Sequence, residues 1–462
     1  MTAIVTNKFR IVNAENFKRD ILDTSNSVYA FIGKSDPWND NLEEFTDGLA
    51  PTPEDTQQEV AAAYSNMIGA KRIIDSGVSN VVPRYDWTSG DAYVAWDDRD
   101  PDIFTKQFYV MTETKEIYKC LQAGPSVSFI KPSDRSIDPV ELQDGYIWKF
   151  IQQPDVNTVQ FITNFYIPIR TIDSEPLDQQ DTPYLDWQRQ ELSKTEINGK
   201  IYTCKVTNGG SNYTSAPTVT IVGDGTGATA TATVVEGVVT RITMTNRGSG
   251  YRTAKLVIEG GGGGTGLEAY PVLSPGIAHG ADPVTELGAF YVGVTTRYEY
   301  DDGEGDFPVG STSLTTSGLL AFRQVGLIKN PLSADGTNIA TAPTYNALKT
   351  MRLQSIENLV IGDYITGTNS EAVAYIDDID GEAGILKYHQ NIKTGFKSFA
   401  AGEPITGSIS RGGSGTIANA EDAPFGVPEY TPNTGDIIFI ESRDPINRAA
   451  TQIEDVKIII EF

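Results

Sequence analysis

Three observations predict a mainly β fold, a β-rich α+β chain. It carries 44 glycines and 24 prolines in 462 residues, with many threonines, valines and tyrosines. Apolar residues alternate over short runs bounded by turn residues, the pattern of half-buried strands. Two segments also repeat themselves at intervals of 38 to 40 residues, a spacing that suits small β modules. A chain of this length exceeds one hydrophobic core, so two to four domains are expected.

In chain order, Ala3 to Ile11 reads as a strand, followed by a helix capped by Asn13 with Phe17 and Ile21 on its buried stripe. Tyr29 to Gly33 reads as a strand that turns at Asp36-Pro37. A second helix is predicted to open at Thr52 as cap, with Pro53 in the first turn and Glu54 and Asp55 at the positive end of the dipole. Val60, Tyr64, Met67 and Ile68 carry it towards Ile74, and Gly77 stops it. Further on, Tyr146, Trp148 and Phe150 alternate with Ile147 and Lys149. The three rings therefore share one strand face, and core packing is favoured over an exposed stripe. Arg84 and Asp86 share a face and are placed to pair, while Trp87 points oppositely. Val456, Ile458, Ile460 and Phe462 give a final strand with an apolar face, expected to be tied into a sheet.

The first repeat is Thr207-Asn-Gly-Gly-Ser-Asn-Tyr213, which returns as Thr245-Asn-Arg-Gly-Ser-Gly-Tyr251; Gly225-Thr-Gly227 answers Gly264-Thr-Gly266. Its glycines supply turns, and its tyrosines close them over an apolar face. Two copies make a small module, not a solenoid. In the second repeat, Gly362-Asp-Tyr-Ile-Thr-Gly367 returns as Gly402-Glu-Pro-Ile-Thr-Gly407. Ala372 to Ile376, a turn at Asp380-Gly381, and Ile385 to Tyr388 read as a hairpin, and the whole suits a compact β barrel.

A formal charge of −25 argues against nucleic acid, whose phosphates require clustered Lys and Arg. No apolar run reaches the roughly 18 residues of a membrane span, and no signal peptide is read at the start, so synthesis and retention in a cytoplasm are expected. Cys120 and Cys204 are expected as separate buried thiols. His279 and His389 have no neighbouring ligand pattern and are assigned surface or packing roles. Two acidic runs, Asp97 to Asp102 and Asp301 to Asp306, are candidate calcium loops, but acidic turns are the favoured reading. Asp302, Glu304 and Asp306 have the alternate spacing, but the closing glutamate position of an EF-hand is Ser313. The Gly260–Gly264 run lacks the Gly-Lys-Ser/Thr ending of a phosphate loop and reads as a turn. No catalytic residue, cofactor or metal is expected.

The remaining signal lies in Phe-Ile-Gly-Lys-Ser-Asp-Pro-Trp at 31–38, Val-Val-Pro-Arg-Tyr-Asp-Trp at 81–87, Asp-Gly-Tyr-Ile-Trp-Lys-Phe at 144–150, Leu-Ile-Lys-Asn-Pro-Leu at 327–332 and Gly-Asp-Ile-Ile-Phe-Ile-Glu-Ser-Arg-Asp-Pro-Ile at 435–446. In this order they resemble the baseplate wedge protein family, gene product eight, of T-even-type contractile-tailed phages. The positions carrying the match are Trp38, Arg84, Asp86, Trp87, Tyr146, Trp148, Asn330, Pro331, Glu441 and Arg443, expected to be structural or interface residues. The resemblance implies a layered β-sandwich core with helix-bearing loops and a homodimer. It implies contacts with other wedge subunits, a place in the virion tail, and no membrane insertion. Shorter members of the family lack both repeats, so 196–275 and 333–431 are expected to be inserted modules. The core domain is then expected to comprise 1–195, 276–332 and 432–462. A glycan-binding tail adhesin is the alternative, with the repeats as binders; a polysaccharide-degrading enzyme comes third.

Overall fold

The computed structural model describes residues 4–39, 42, 47–171, 199–275, 278–311, 318–408 and 412–462. It is mostly strand, as the composition predicts, and its elements gather into several sheets. The chain divides into two compact units: residues 1–18, 79–293 and 459–462 form one, and 19–78 with 294–458 the other.

The first helix departs from the reading of the opening residues. Asn7–Leu22 is helical, and Thr6 takes the capping place, its Oγ1 accepting from Phe9 N at 3.3 Å. Ile11, Ala14 and Ile21 are its buried residues. The apparent alternation before Ile11 was too short to outweigh helix-forming Lys8, Arg10 and Ala14, so Asn13 lies inside the helix. The second helix is also corrected, to Gln57–Asn66. Its cap is Thr56, whose side chain accepts from Glu59 N at 3.2 Å. Thr56 is thus the start signal, a side-chain N-cap that outcompetes Thr52-Pro53, while its own N–H donates to the Glu54 carbonyl at 2.8 Å. Met67–Arg72 leaves the helix to become a strand, because tertiary packing overrides local preference there. A Cβ on Gly69 would come within 2.8 Å of the Asp306 carbonyl oxygen, an approach only glycine allows.

In the unit built from 19–78 and 294–458, a five-stranded sheet runs in the order Thr344–Asn346, Met67–Arg72, Val28–Gly33, Leu320–Lys329, Asp436–Arg448. Phe31 lies opposite Gly326, where any Cβ would strike the Phe31 ring at 2.4 Å. Tyr29, Phe31, Met67, Ile328, Tyr345 and Tyr430 form its core. The same unit holds a closed barrel. Lys349–Glu357 pairs with Ile385–His389 on one side and Ser414–Ile417 on the other. Val373–Asp380, Tyr364–Gly367 and Pro404–Gly407 complete the ring. Its interior is aliphatic, with Met351, Ile365, Ile376, Leu386, Ile405 and Ile417 all buried.

In the other unit, Tyr109–Met111, Ile117–Gln122, Ile147–Gln152 and Val140–Glu141 form a four-stranded sheet. The strand Ile147–Gln152 is buried on both faces, so Lys149 is covered as fully as the rings beside it. Strands from Thr203 to Val272 form a separate six-stranded sheet in the order Ala254–Glu259, Thr218–Gly223, Thr226–Val235, Val238–Ser249, Thr203–Ser211, Thr265–Val272.

Both repeats are built by exchange between their copies. Tyr213 of the first copy packs where a Cβ on Gly264 of the second would reach its ring at 2.3 Å, and Tyr251 covers Gly225 in the same way at 2.5 Å. In the barrel, Ile365, Thr366 and Gly367 pair with Gly407, Thr406 and Ile405. The acid of each copy reaches across: Asp363 accepts from Ser408 Oγ at 2.6 Å and Glu403 from Ser370 Oγ at 2.7 Å.

Candidate functional site

The residues that carry the family signature do not converge on one site. Trp38 is half-buried and donates through Nε1 to the Arg443 carbonyl at 3.1 Å, and the Arg443 guanidinium pairs with Glu441. Asn330 takes a left-handed φ of 52°. Its Oδ1 accepts from Ser27 N at 2.8 Å, and its Nδ2 donates to Asn26 Oδ1 at 3.0 Å; Pro331 then ends the strand. Asn330 and Pro331 thus follow the end of strand Leu320–Lys329, whereas Glu441 and Arg443 lie within Asp436–Arg448. Arg84 Nε donates to both Asp86 carboxylate oxygens, at 2.9 and 3.1 Å, and its Nη1 donates to the Thr163 carbonyl at 2.8 Å. Trp87 Nε1 donates to Ser128 Oγ at 3.3 Å. Tyr146 and Trp148 are buried and stacked at 5.8 Å.

The structure instead brings together two charged clusters that the sequence did not single out. In the four-stranded sheet, Lys119 lies directly opposite Lys149, a like-charge pairing that is unfavourable alone. Lys149 is held by the carbonyl of Ile137. Lys119 donates to Glu286 Oε2 at 2.6 Å and to His279 Nδ1 at 3.1 Å, with the Trp96 ring 4.1 Å away. Glu286 sits in the short helix Pro283–Glu286 capped by Asp282, and its other oxygen accepts from Gly280 N at 2.8 Å. Burial, followed by the charges of Lys119 and Lys149, pushes the His279 pKa well below its ordinary value. His279 is neutral, and its Nδ1 is an acceptor.

The second cluster lies where Lys34 to Asp36 meet the barrel. His389 Nδ1 faces Asp377 Oδ2 at 2.8 Å, and Nε2 faces Asp36 Oδ1 at 3.3 Å. Lys34 Nζ donates to Asp36 Oδ2 at 2.7 Å, and Asn391 Nδ2 donates to Asp36 Oδ1 at 3.1 Å. Burial opposes the charge on His389, but the two carboxylates outweigh it and raise its pKa to about 9. Burial likewise opposes ionisation of Asp36, yet His389 and Lys34 hold its pKa below the usual carboxylate range. Ser35, His389 and Asp377 have the residue types of a hydrolase triad but not its geometry. Ser35 Oγ is 3.4 Å from the same nitrogen that faces Asp377, and it donates to Asp377 itself. The other nitrogen is taken by Asp36, so no free base faces the hydroxyl.

The acidic turns are used internally. Asp302 pairs with Lys71 at 2.7 Å, Asp306 is buried, and Asp97 accepts from Tyr270 Oη at 2.7 Å. Among the described residues, no three His, Cys, Asp or Glu side chains are grouped to hold a metal ion. Cys120 and Cys204 are free and buried, and burial raises both thiol pKa values. The Gly260–Gly263 run turns between two strands with positive φ throughout. Among the described residues, no helix is long and apolar enough to cross a membrane.

The sheets and the two internally paired charge clusters define a class: a β-rich protein with ionic groups buried in its packing. The comparisons give that class its setting. The family described as Bacteriophage T4, Gp8 matches residues 3–122. The baseplate wedge protein gp8 of Enterobacteria phage T4 is 27% identical over 251 residues, covering 44% of this chain and 70% of that protein. The resemblance read from the sequence is thereby shown: the chain is similar to the baseplate wedge proteins of T4-like phage, at modest identity. This supports a structural subunit of the virion tail.

Proposed function

We propose that the chain is a rigid bracket of a contractile-tail baseplate wedge. It bridges neighbouring wedge subunits during assembly and keeps its form while the baseplate rearranges on host attachment. It works as a homodimer, is made in the bacterial cytoplasm and carries no catalytic site. The observation that carries this reading is the similarity to a baseplate wedge protein over 251 residues. The internal pairing of the buried charges supports it, because groups already satisfied stiffen a core and offer nothing to a substrate. The signature positions serve as structural or interface residues of the bracket.

The segments 196–275 and 333–431 are insertions in this reading. Thr344–Asn346 and Tyr430 belong to the five-stranded sheet and its core, so a replacement linker for the second insertion is best placed across 349–426. Light scattering at micromolar concentration should give twice the chain mass of 50.1 kDa. Cross-linking of intact particles should join the chain to other baseplate proteins. A concentration-independent monomer that joins none of them would remove the bracket.

A further inference from the structure

The unit of residues 19–78 and 294–458 carries an open pocket of about 350 Å³ between the helix Gln57–Asn66, the barrel strand ending at His389 and the segment 428–433. Its walls are Tyr64, Tyr388, Phe396, Pro428 and Tyr430. A wider groove of about 690 Å³ shares Ala61, Tyr64 and Asn433 with it and runs past Val60 towards Asp55. Phe396 is 60% exposed at the mouth, and Val427, next in sequence to the lining residue Pro428, is 79% exposed. Soluble proteins seldom leave large apolar side chains clustered around a concavity without a partner for them.

The charge in the pocket is informative. Lys349 and His389 are its two basic residues. His389 is compensated by Asp36 and Asp377. Lys349 Nζ donates to Gln390 Oε1 at 3.0 Å, and among the described residues it forms no ion pair with a carboxylate. Burial lowers its pKa. A half-desolvated ammonium among rings, in a chain of net charge −25, is matched by an anion arriving from outside. One cation is too few for a nucleotide or a nucleic acid. A carboxylate attached to an apolar side chain satisfies both features, and extended peptides supply that combination.

We propose that this pocket docks a segment of another protein that presents a large apolar side chain beside a carboxylate. The side chain enters between Tyr64, Phe396 and Tyr430, the carboxylate pairs with Lys349, and the groove towards Asp55 takes the flanking backbone. That the partner is a virion protein rests on the baseplate reading; the pocket chemistry does not.

The test uses the full chain and two peptides, N-acetyl-Trp-Asp-amide and N-acetyl-Trp-Asn-amide, with binding followed by saturation-transfer NMR. Binding of the first in the millimolar range is expected, at least fivefold tighter than the second. Lys349→Met, which keeps the aliphatic stem, should equalise the two. Ala61→Trp, at an exposed position on the groove, should weaken both at least fivefold while melting as wild type does. Binding of neither peptide, equal binding of both, or indifference to Ala61→Trp would overturn the site. A second arm incorporates wild-type and Ala61→Trp chains into particles. Exclusion of the wild type would count against the baseplate reading alone. Equal incorporation of both would overturn a virion partner at this pocket, and loss of self-association in Ala61→Trp would replace that partner with a second copy.

Discussion

The two buried histidines face opposite fates within one chain. His279 meets two lysines and one glutamate, and it is neutral. His389 meets two aspartates, and its pKa is raised to about 9. Both are almost fully buried, so desolvation penalises the charged form of each. What differs is the sign of the neighbours. Burial alone therefore does not decide ionisation; the local count of carboxylates and ammonium groups does.

The largest effect that would sharpen this comparison is at Glu286. Glu286→Gln leaves Lys119 buried opposite Lys149 without an anion, and the expected loss is about 3–5 kcal/mol in urea denaturation. Replacing Lys119 and Glu286 together by Met and Leu should recover most of it. A loss below about 1 kcal/mol for the single variant would mean that Lys119 is neutral and the cluster is not ionic.

The next effect is the pH dependence, and its sign differs between the clusters. His389 has a raised pKa, so its contribution is full below about 6.5 and disappears as pH rises through about 9. It is on the order of 3 kcal/mol by the shift. His279 has a lowered pKa, so stability falls as pH drops below about 6.5, where the unfolded chain takes up the proton. Melting curves from pH 5 to 9.5 should show His389→Gln flattening the alkaline side and His279→Gln the acid side. The same side flattening in both would break the comparison.

Smaller effects follow. Asp36→Asn removes one of two anions from His389, should cost about 2 kcal/mol, and should move the alkaline limb to lower pH. His279→Phe gives up one hydrogen bond from Lys119 but keeps the ring contacts with Trp96 and Tyr202. It should cost about 1 kcal/mol.

Much of the fold was legible because its signals are local. The hairpin around Asp380 was read from its alternation, although the positive φ in its turn falls at Gly384 and not Gly381. The repeats were visible as spaced Gly, Tyr and Thr. The strand Met67–Arg72 was missed because its partners are distant in sequence and its helical preference is genuine. The charged clusters were illegible for the same reason: Asp36 and His389 stand 353 residues apart, and Lys119 and Glu286 stand 167 apart. Nothing next to either histidine announces its neighbours. The signature residues were visible, but their individual jobs, such as the Trp38 bond to the Arg443 carbonyl, depend on pairing that no local pattern encodes.

The exchange between copies in the six-stranded sheet has a consequence for synthesis. Tyr213 cannot settle until Gly264 exists, and Gly225 stays uncovered until Tyr251 has been made. At about 5–20 residues per second, the ribosome needs roughly 3–10 s to add the 51 residues from Thr214 to Gly264. For that interval the first copy emerges as an incomplete half whose glycine-lined surfaces await the second. Packing of the duplicated tyrosines over their glycines is therefore order-dependent: the first copy is completed only by residues made later in the chain.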